Sequence, residues 1–286
     1  MPKSYFILFL TSLLCSLSRA DVNIVTTIKP LQMIAEAVVQ EYGSVSSIVD
    51  SQQSPHHFTV SPSDRINLAR ADIAVWIGPL FETHISDFFV QARFKAKTIT
   101  VIDTPGLLLH SIGDGQLDAH LWLDSSNAVL IAKAIAERAV EKDPDNAISY
   151  RQNLEKFSRE IESRNRQIEQ QFQAPSVTSY AVYHNAYQYF EHQFGLQHDM
   201  VILQDPEVQP SIRETIELRR QVNDQRPSCL LLEFDSSSDL VSTVLNGHEL
   251  KQITVDLLGS NVNSSGNAYS EFIANLADDF YQCLYE

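Results

Sequence analysis

Two series of short apolar runs, each run followed by a helical pattern, constrain the fold of this chain more than any other feature. The runs of the first series are Val22–Thr27, Val45–Asp50, Ile73–Ile77 and Thr98–Ile102. Those of the second series are Tyr180–Tyr183, Asp199–Leu203, Leu230–Phe234 and Ile253–Val255. Strands that alternate with helices at this spacing are typical of βαβ units. We therefore predict an α/β protein with two lobes, each holding a mostly parallel β-sheet flanked by helices.

One long helical segment separates the two series. The stretch from Pro144 to Phe172 contains no glycine and no further proline, and it carries a narrow apolar stripe. A helix of this length spans about 40 Å at 1.5 Å per residue, so it can join two lobes. We predict an N-terminal lobe over residues 21–143, a linking helix over residues 144–173 and a C-terminal lobe over residues 174–286.

Local signals predict where individual helices begin. Ser61 can cap a helix, Pro62 suits its first turn and Asp64 lies near the positive end of its dipole. Leu80–Phe94 is predicted as one further helix. The two series share their alternation of strand and helix, but we find no repeat of individual residues between them.

Residues 1–20 have the features of a secretory signal. Lys3 supplies a positive start, Phe6–Leu17 is an apolar run too short to span a membrane, and Ser18-Arg19-Ala20 fits a cleavage site. We predict that this segment is removed, that Asp21 begins the mature chain and that the protein is exported to the periplasm. A membrane anchor is the alternative, and the length of the apolar run disfavours it.

The mature chain is strongly acidic. Loss of Lys3 and Arg19 with the signal changes the formal net charge from −15 to −17. This charge disfavours binding to nucleic acid or to anionic membranes. It suits a protein that concentrates cations, and a solvated acidic surface fits it equally.

Two cysteines, Cys229 and Cys283, remain in the mature chain. In an oxidising compartment an isolated pair indicates a disulfide. This one would join the strand at Leu230–Phe234 to the C-terminal helix. The alternative, a pair of metal ligands, is disfavoured because no second cysteine lies at the close spacing of zinc sites.

Three histidines lie where an α/β protein places its ligands. His184 directly follows the run Tyr180–Tyr183 and precedes a helix, while His56 and His120 lie in loops. Open α/β sheets bind ligands beyond the carboxyl ends of their strands, and imidazole suits zinc, copper, nickel and iron. We predict that the three histidines bind one metal ion in a cleft, with Asp256 as the oxygen ligand of a tetrahedral site.

Several alternatives stay open for these residues. Each histidine could instead bond to nearby backbone, and His57 could be the ligand in place of its neighbour His56. Glu82 and Glu233 lie near strand ends and could accept a hydrogen bond from a ligand histidine, although a solvated carboxylate is the expectation for each. The remaining histidines are expected to be surface or structural residues: His84, His110, His192, His198 and His248.

With these residues assembled, the chain resembles the zinc-binding, ZnuA-like solute receptors of bacterial ABC transporters. The resemblance covers nearly the whole mature chain. Its motifs are Ser54-Pro55-His56-His57-Phe58, Pro62-Ser63-Asp64, Ala71–Pro79, Asp118–Leu123, His184–Phe190 and Asp256–Gly259. It implies the same ligands, His56, His120 and His184 with Asp256 in the fourth position, and the Cys229–Cys283 disulfide.

The resemblance also implies what the protein does. It implies a periplasmic receptor, not an enzyme, that binds Zn²⁺ between two lobes and docks on an ABC-transporter permease in the inner membrane. We expect a monomer without a nucleic-acid partner. Manganese receptors of this group normally carry glutamate at the position of His184, so a histidine there favours zinc.

The chain departs from the family pattern in two places. The loop from Leu107 to Asp118 lacks the long run of His and Asp found in many zinc members, which puts an auxiliary metal-collecting role in doubt. Pro55 replaces a glutamate that some members use as an oxygen ligand, so Asp256 or a water must supply the fourth contact. Three other functions remain as alternatives: a manganese or iron receptor, a zinc-dependent hydrolase and a surface adhesin.

Overall fold

The computed structural model describes residues 21–49, 53, 58–112, 115–173, 179–206 and 208–285. The predicted signal segment 1–20, and His56 with its neighbour His57, lie outside the described residues. Within the described ranges, no helix combines the length and the apolar character needed to cross a membrane.

The first lobe is built on a parallel four-stranded sheet. Its strands are β1 (Val22–Thr26), β2 (Gly43–Ser47), β3 (Ile73–Trp76) and β4 (Thr98–Thr100), in the spatial order β2-β1-β3-β4. The helices of this part of the chain are α1 (Lys29–Val39), α2 (Pro62–Arg70), α3 (Ser86–Phe89) and α4 (Ala92–Lys95).

A connecting region follows the first sheet. It contains a short antiparallel pair, β5 (Ser111–Ile112) and β6 (Gln116–Leu117), and then two long helices, α5 (Ser125–Lys142) and α6 (Ala147–Gln171). A single 3₁₀ turn at Pro144–Asn146 leads into α6. Helix α6 itself begins at Ala147, three residues after Pro144. It packs against α1 of the first lobe and against the C-terminal helix, Ala268–Tyr285, of the second.

The second lobe repeats the architecture of the first. Its parallel strands are β7 (Tyr180–His184), β8 (Met200–Leu203), β9 (Cys229–Leu232) and β10 (Lys251–Thr254), in the order β10-β9-β7-β8. Its helices are α7 (Gln188–Phe194), α8 (Ile212–Gln225), α9 (Ser238–Leu245) and α10 (Ala268–Tyr285). The predicted fold, two parallel sheets flanked by helices with one long helix between them, is confirmed.

The two sheets have the same topology. If the strands of each lobe are numbered in chain order, both sheets run 2-1-3-4. The chain reverses direction across the sheet between the first and third strands, which opens a crevice at their carboxyl ends. In the first lobe this crevice lies beyond β1 and β3. In the second lobe it lies beyond β7 and β9, and β7 ends at His184.

The prediction of one helix over Leu80–Phe94 is wrong. The segment forms a 3₁₀ turn followed by α3 and α4, and the backbone at Gln91 is extended. The break lets Phe94 stack on Phe88, with ring centroids 3.9 Å apart. Residues six positions apart lie on different faces of a continuous helix. Burial of both aromatic rings therefore requires the chain to turn between them.

Hydrogen bonds join the two lobes near the crevices. The Trp122 indole N–H donates to the Leu257 carbonyl at 3.0 Å, and the Tyr269 hydroxyl donates to the Trp122 carbonyl at 2.6 Å. The Lys29 ammonium donates to the Val262 carbonyl at 2.7 Å. Because Trp122 and Tyr269 are fully buried, an opening of the lobes would break these hydrogen bonds and expose both aromatic rings to water. The contacts therefore oppose a large hinge motion.

The predicted disulfide is present. Cys229 on β9 is bonded to Cys283 on α10, and their Cα atoms lie 5.5 Å apart. Both residues are buried. The bond fixes the C-terminal helix against the strand that leads to Glu233, at the carboxyl edge of the second sheet.

Candidate metal site

Two of the predicted ligands meet at the boundary between the lobes. His184 is the last residue of β7, and His120 precedes the 3₁₀ turn Leu121–Leu123. Their Nε2 atoms are 3.4 Å apart, and each residue is only 6 % exposed. The topology therefore brings together two imidazoles that are far apart in sequence.

A carboxylate lies beside the other ring nitrogen of each histidine. His120 Nδ1 is 2.8 Å from Asp118 Oδ1, and His184 Nδ1 is 3.3 Å from Glu233 Oε1. An ionised carboxylate only accepts hydrogen bonds, so each Nδ1 carries the hydrogen. The contact between the two Nε2 atoms, 3.4 Å long, then needs either a hydrogen on one of them or a cation between them.

The separation of the two nitrogens suits a metal ion. Zinc–nitrogen bonds are about 2.0–2.1 Å long, so two nitrogens on one tetrahedral zinc lie about 3.3–3.4 Å apart. The distance between His120 Nε2 and His184 Nε2 is 3.4 Å. The rings are tilted by 57° to each other.

Buried tyrosines hold the two residues whose carboxylates support the imidazoles. The Tyr187 hydroxyl donates to Glu233 Oε1, and the Tyr189 hydroxyl donates to the Asp118 carbonyl at 2.7 Å. Both tyrosines are fully buried in the segment that follows β7. The motif His184–Phe190 therefore supplies one imidazole and also positions the partners of both imidazoles.

The surroundings of His184 act on its protonation in two directions. Burial lowers the pKa of the imidazole, and the negative charges of Glu233 and Asp235 raise it more, so that the pKa lies above its usual range. The carboxylates thus favour a positive charge at this position. A metal cation satisfies the same preference.

A cavity opens on the imidazole pair. Its polar lining includes His120, His184, Glu233 and Asp235, and its apolar lining includes Trp122, Pro206, Phe234, Leu257 and Leu258. The apolar side chains lower the local dielectric constant and so strengthen the electrostatic attraction of a cation to the site.

Asp256 has partners within its own loop. Its Oδ1 accepts hydrogen bonds from the Leu258 N–H at 3.1 Å and the Ser260 hydroxyl at 2.9 Å, and its Oδ2 accepts one from the Asn261 N–H at 3.2 Å. The next two residues, Leu257 and Leu258, line the cavity of the imidazole pair, and Asp256 is not among the described residues that line it. Its role as the fourth ligand stays a prediction.

The described ranges contain no group of three or more His, Cys, Asp or Glu side chains arranged to hold a metal ion. A complete ligand set therefore requires a further residue or water. His56 is the residue predicted to complete the ligand set, and it lies outside the described ranges.

The structure adds Asp118 to the site. In the sequence, this residue stands out only as the first position of the motif Asp118–Leu123. Its spacing from His120 is a usable signal, because a carboxylate two residues before a histidine can accept from both the N–H and the ring of that histidine. Both contacts are present, at 3.0 and 2.8 Å.

The other described histidines have partners elsewhere. The His198 ring contacts Glu191 at 2.9 Å, and the His248 ring contacts Asn223 at 2.8 Å. The His84 ring packs on Phe58. His110 and His192 lie next to each other, with ring centroids 4.8 Å apart.

The first lobe has a matching carboxylate at its own crevice. Glu82 lies in the loop after β3, six residues past the end of the strand, and it accepts hydrogen bonds from the Thr27 hydroxyl and from the backbone N–H groups of Ile77 and Gly78. The side chain is fully buried. Burial raises the pKa of Glu82 from 4.5 to about 7, although these hydrogen bonds lower it.

This carboxyl group predicts a pH-dependent stability. Its pKa is higher in the folded state, about 7, than the ordinary 4.5, so the folded state binds the proton more tightly. Its contribution to the free energy of unfolding is then greatest below about pH 4.5 and falls as pH rises to about 7. In denaturant unfolding, the free energy of unfolding of the wild type should fall relative to that of Glu82→Gln as pH rises from about 4.5 to about 7. The decrease is on the order of 3 kcal/mol. A pH-independent difference would contradict the prediction.

The chain matches a known protein family over most of its length. The family described as the periplasmic zinc-uptake complex component A, ZnuA, matches residues 24–283. The high-affinity zinc uptake system protein ZnuA of Brucella abortus is 26% identical over 312 aligned positions, which cover 94% of this chain and 93% of the relative.

Two solved structures share the fold. The periplasmic zinc-binding protein TroA of Treponema pallidum has a TM-score of 0.80 at 17% identity and covers 93% of this chain and 100% of its own. The solute-binding protein FpvC of Pseudomonas aeruginosa, in complex with Mn²⁺, has a TM-score of 0.79 at 19% identity, with coverages of 93% and 98%. At these identities the likeness shows the fold alone.

Proposed function

The chain belongs to the ZnuA family of periplasmic zinc-uptake components, and we propose that it is the receptor that captures Zn²⁺ and delivers it to an ABC-type permease. Members of this family are metal-binding solute-binding proteins and not enzymes. The zinc ion is the cargo of such a protein rather than a resident cofactor.

One observation carries the proposal. Two buried imidazoles direct their Nε2 atoms at each other across 3.4 Å, and each is held through Nδ1 by a carboxylate. A histidine that donates its second N–H to a carboxylate is the usual arrangement in metal sites, because it fixes the tautomer and raises the basicity of the ligand. The arrangement suits an ion that takes nitrogen ligands in tetrahedral geometry.

We assign His56, His120 and His184 as the metal ligands. Asp256 already accepts three hydrogen bonds within its own loop, and it is not among the described residues that line the cavity. These observations favour a water over Asp256 as the fourth ligand. His56 comes from the segment that precedes α2, and its assignment rests on the family pattern.

Zinc is the preferred cargo in this proposal. Imidazole nitrogen suits zinc better than manganese, which prefers oxygen ligands. The runner-up is a manganese or iron receptor, and it is supported by the likeness to FpvC, which was solved with Mn²⁺. A zinc hydrolase is disfavoured because the family is one of solute-binding proteins.

The proposal includes the cellular arrangement. Residues 1–20 would direct export, and the mature protein, residues 21–286, would act in the periplasm as a monomer. The division into lobes 21–143 and 174–286, joined by segment 144–173, is part of the same proposal. In chain order, α6 lies between the strands of the first parallel sheet and those of the second, which agrees with this division.

A direct binding experiment tests the function. The mature chain, stripped of metal, is titrated with Zn²⁺ and with Mn²⁺ by isothermal calorimetry, and its melting temperature is recorded with each ion. We expect one tightly bound zinc and a rise in melting temperature that is much larger with zinc. Equal responses to both ions would favour the runner-up, and no response to zinc would reject the proposal.

The carboxylate behind His184 gives a sharper prediction. Glu233→Gln keeps the shape of the side chain but removes the charge that holds Nδ1–H, so we expect a 10–100-fold loss of zinc affinity. Glu249→Gln, at an exposed glutamate, is the matched control and should bind as the wild type does. Calorimetric titration measures both. An unchanged affinity in Glu233→Gln would mean that the contact is structural only.

A further inference from the structure

The first residue of α1 is unfavourable for the helix that it begins. Lys29 places a positive charge at the end of the helix where the peptide dipoles are also positive. The first turn of α1 contains no acidic residue that would offset this charge. Because the Lys29 side chain is also half-buried, its ammonium group needs hydrogen-bond partners outside the helix.

The Lys29 ammonium binds two main-chain carbonyls of the second lobe. Its Nζ donates to the Val262 oxygen at 2.7 Å and to the Ser260 oxygen at 3.1 Å. Both carbonyls belong to segment 256–262, which follows β10 and which we name the aspartate loop. Hydrogen bonds from a charged donor are roughly twice as strong as neutral ones. Lys29 therefore holds the aspartate loop from across the boundary between the lobes.

The aspartate loop touches the first lobe at two further points. The Trp122 indole N–H donates to the Leu257 carbonyl at 3.0 Å. Gly259, with a φ of +67°, lies so near α1 that a Cβ atom added there would be 2.8 Å from Met33 Cε. Met33 lies four positions after Lys29 and therefore on the same face of α1. Two successive turns of α1 thus hold the loop.

The aspartate loop also fixes the carboxylate of Asp256. The Ser260 hydroxyl donates to Oδ1 at 2.9 Å, and the Asn261 N–H donates to Oδ2 at 3.2 Å. Both donors lie within the stretch that the Lys29 ammonium holds, from Ser260 to Val262. The position of Lys29 therefore determines where the groups that bind the Asp256 carboxylate lie.

This arrangement keeps a carboxylate beside the metal cavity but outside it. Leu257, the next residue, lines the cavity of the imidazole pair, and Asp256 is not among the described residues that do so. We infer that Lys29 determines metal specificity, because it locks the aspartate loop and so keeps Asp256 out of the ligand set. Lys29 is thus a positioning residue that acts through the loop.

The chemistry of the two ions gives the direction of the effect. Three imidazoles and a water suit zinc, whereas manganese prefers carboxylate oxygen. A released Asp256 would add one such oxygen to the site, and manganese would gain more from it than zinc. The inference rests on the proposed function, including its assignment of a water as the fourth ligand, and adds the residue that enforces this assignment.

The ratio of two dissociation constants tests the inference. Lys29→Met removes both hydrogen bonds and keeps a long, unbranched side chain. Calorimetric titration of the metal-free mature chain with Zn²⁺ and with Mn²⁺ gives the ratio of the manganese constant to the zinc constant. We expect this ratio to fall roughly tenfold in Lys29→Met. Ser260→Ala removes a partner of the carboxylate itself and should shift the ratio in the same direction. An unchanged ratio in both variants would overturn the inference.

A double-mutant cycle separates the carboxylate from a general loosening of the fold. In an Asp256→Ala background, Lys29→Met should leave the ratio unchanged, because no carboxylate remains to be released. A shift of the same size in that background would overturn the inference.

Lys97 provides a matched control. Its ammonium also donates to main-chain carbonyls, those of Leu68, Ala69 and Ala71, but all three lie in the first lobe. Lys97→Met should lower the melting temperature and keep the wild-type ratio, and a shifted ratio would overturn the inference. A wild type that fails to bind zinc would instead reject the proposed function.

Discussion

Replacement of His184 by alanine is expected to lower zinc affinity by more than about 100-fold. Loss of a partner behind a metal ligand costs 10–100-fold, and loss of the ligand itself costs more. At a zinc concentration 100 times the wild-type dissociation constant, the ion stabilises the wild type by about 2.7 kcal/mol; a 100-fold weaker variant gains about 0.4 kcal/mol at that concentration. Thermal melting with and without zinc therefore separates the two proteins clearly.

The controls for His184→Ala follow from the structure. His120→Ala removes the facing nitrogen, at 3.4 Å, and should give a loss of the same size. His248→Ala removes a histidine that contacts Asn223 at the surface, and it should leave zinc binding unchanged. Zinc affinity that is unaltered in both site variants would mean that the imidazole pair is a structural contact.

Removal of the disulfide gives the second large effect. Cys229 and Cys283 are separated by 54 positions, and closing a loop of that size stabilises a protein by about 4 kcal/mol in the chain-entropy model. The double variant Cys229→Ala/Cys283→Ala should lose free energy of unfolding of about that size in urea, because its unfolded chain is no longer restricted.

The disulfide prediction has an internal control. Reduction of the wild type should lower its stability to that of the double variant, and the reducing agent should not affect the variant. Glu233 follows β9 directly, and its Oε1 lies 3.3 Å from His184 Nδ1, so zinc affinity reports whether the strand keeps its position. A loss below about 1 kcal/mol would place the bond outside the usual range for native disulfides.

The alternation of strands and helices was predictable because it depends on local sequence. The central strands β1, β3, β7 and β9 are short, mostly apolar runs, and Pro144 lies at an element boundary as expected. Ser61 and Asp64 form the predicted N-terminus of α2 and close a capping box. The disulfide was predictable because the predicted mature chain has two cysteines, which allow one pairing, and its predicted compartment is oxidising.

The supporting contacts of the site could not be derived in the same way. His184 was predictable from its position at a strand end, but the partner of its ring, Glu233, directly follows another strand, β9, and is brought near by the sheet order. The contacts of Tyr187 with Glu233 and of Tyr189 with the Asp118 carbonyl also depend on tertiary packing. Sequence spacing carries no record of such long-range pairs.

The break within Leu80–Phe94 shows another limit. Helical periodicity predicts one helix, and aromatic stacking between Phe88 and Phe94 overrides it. This result requires knowledge of which side chains are neighbours in the folded chain.

The most direct test of the metal site is an anomalous difference map at the zinc absorption edge, from crystals of residues 21–286 grown with zinc. We expect one peak about 2.0–2.1 Å from both His120 Nε2 and His184 Nε2, with each Nδ1 still beside its carboxylate. A zinc peak elsewhere, with no peak between the two imidazoles, would contradict it.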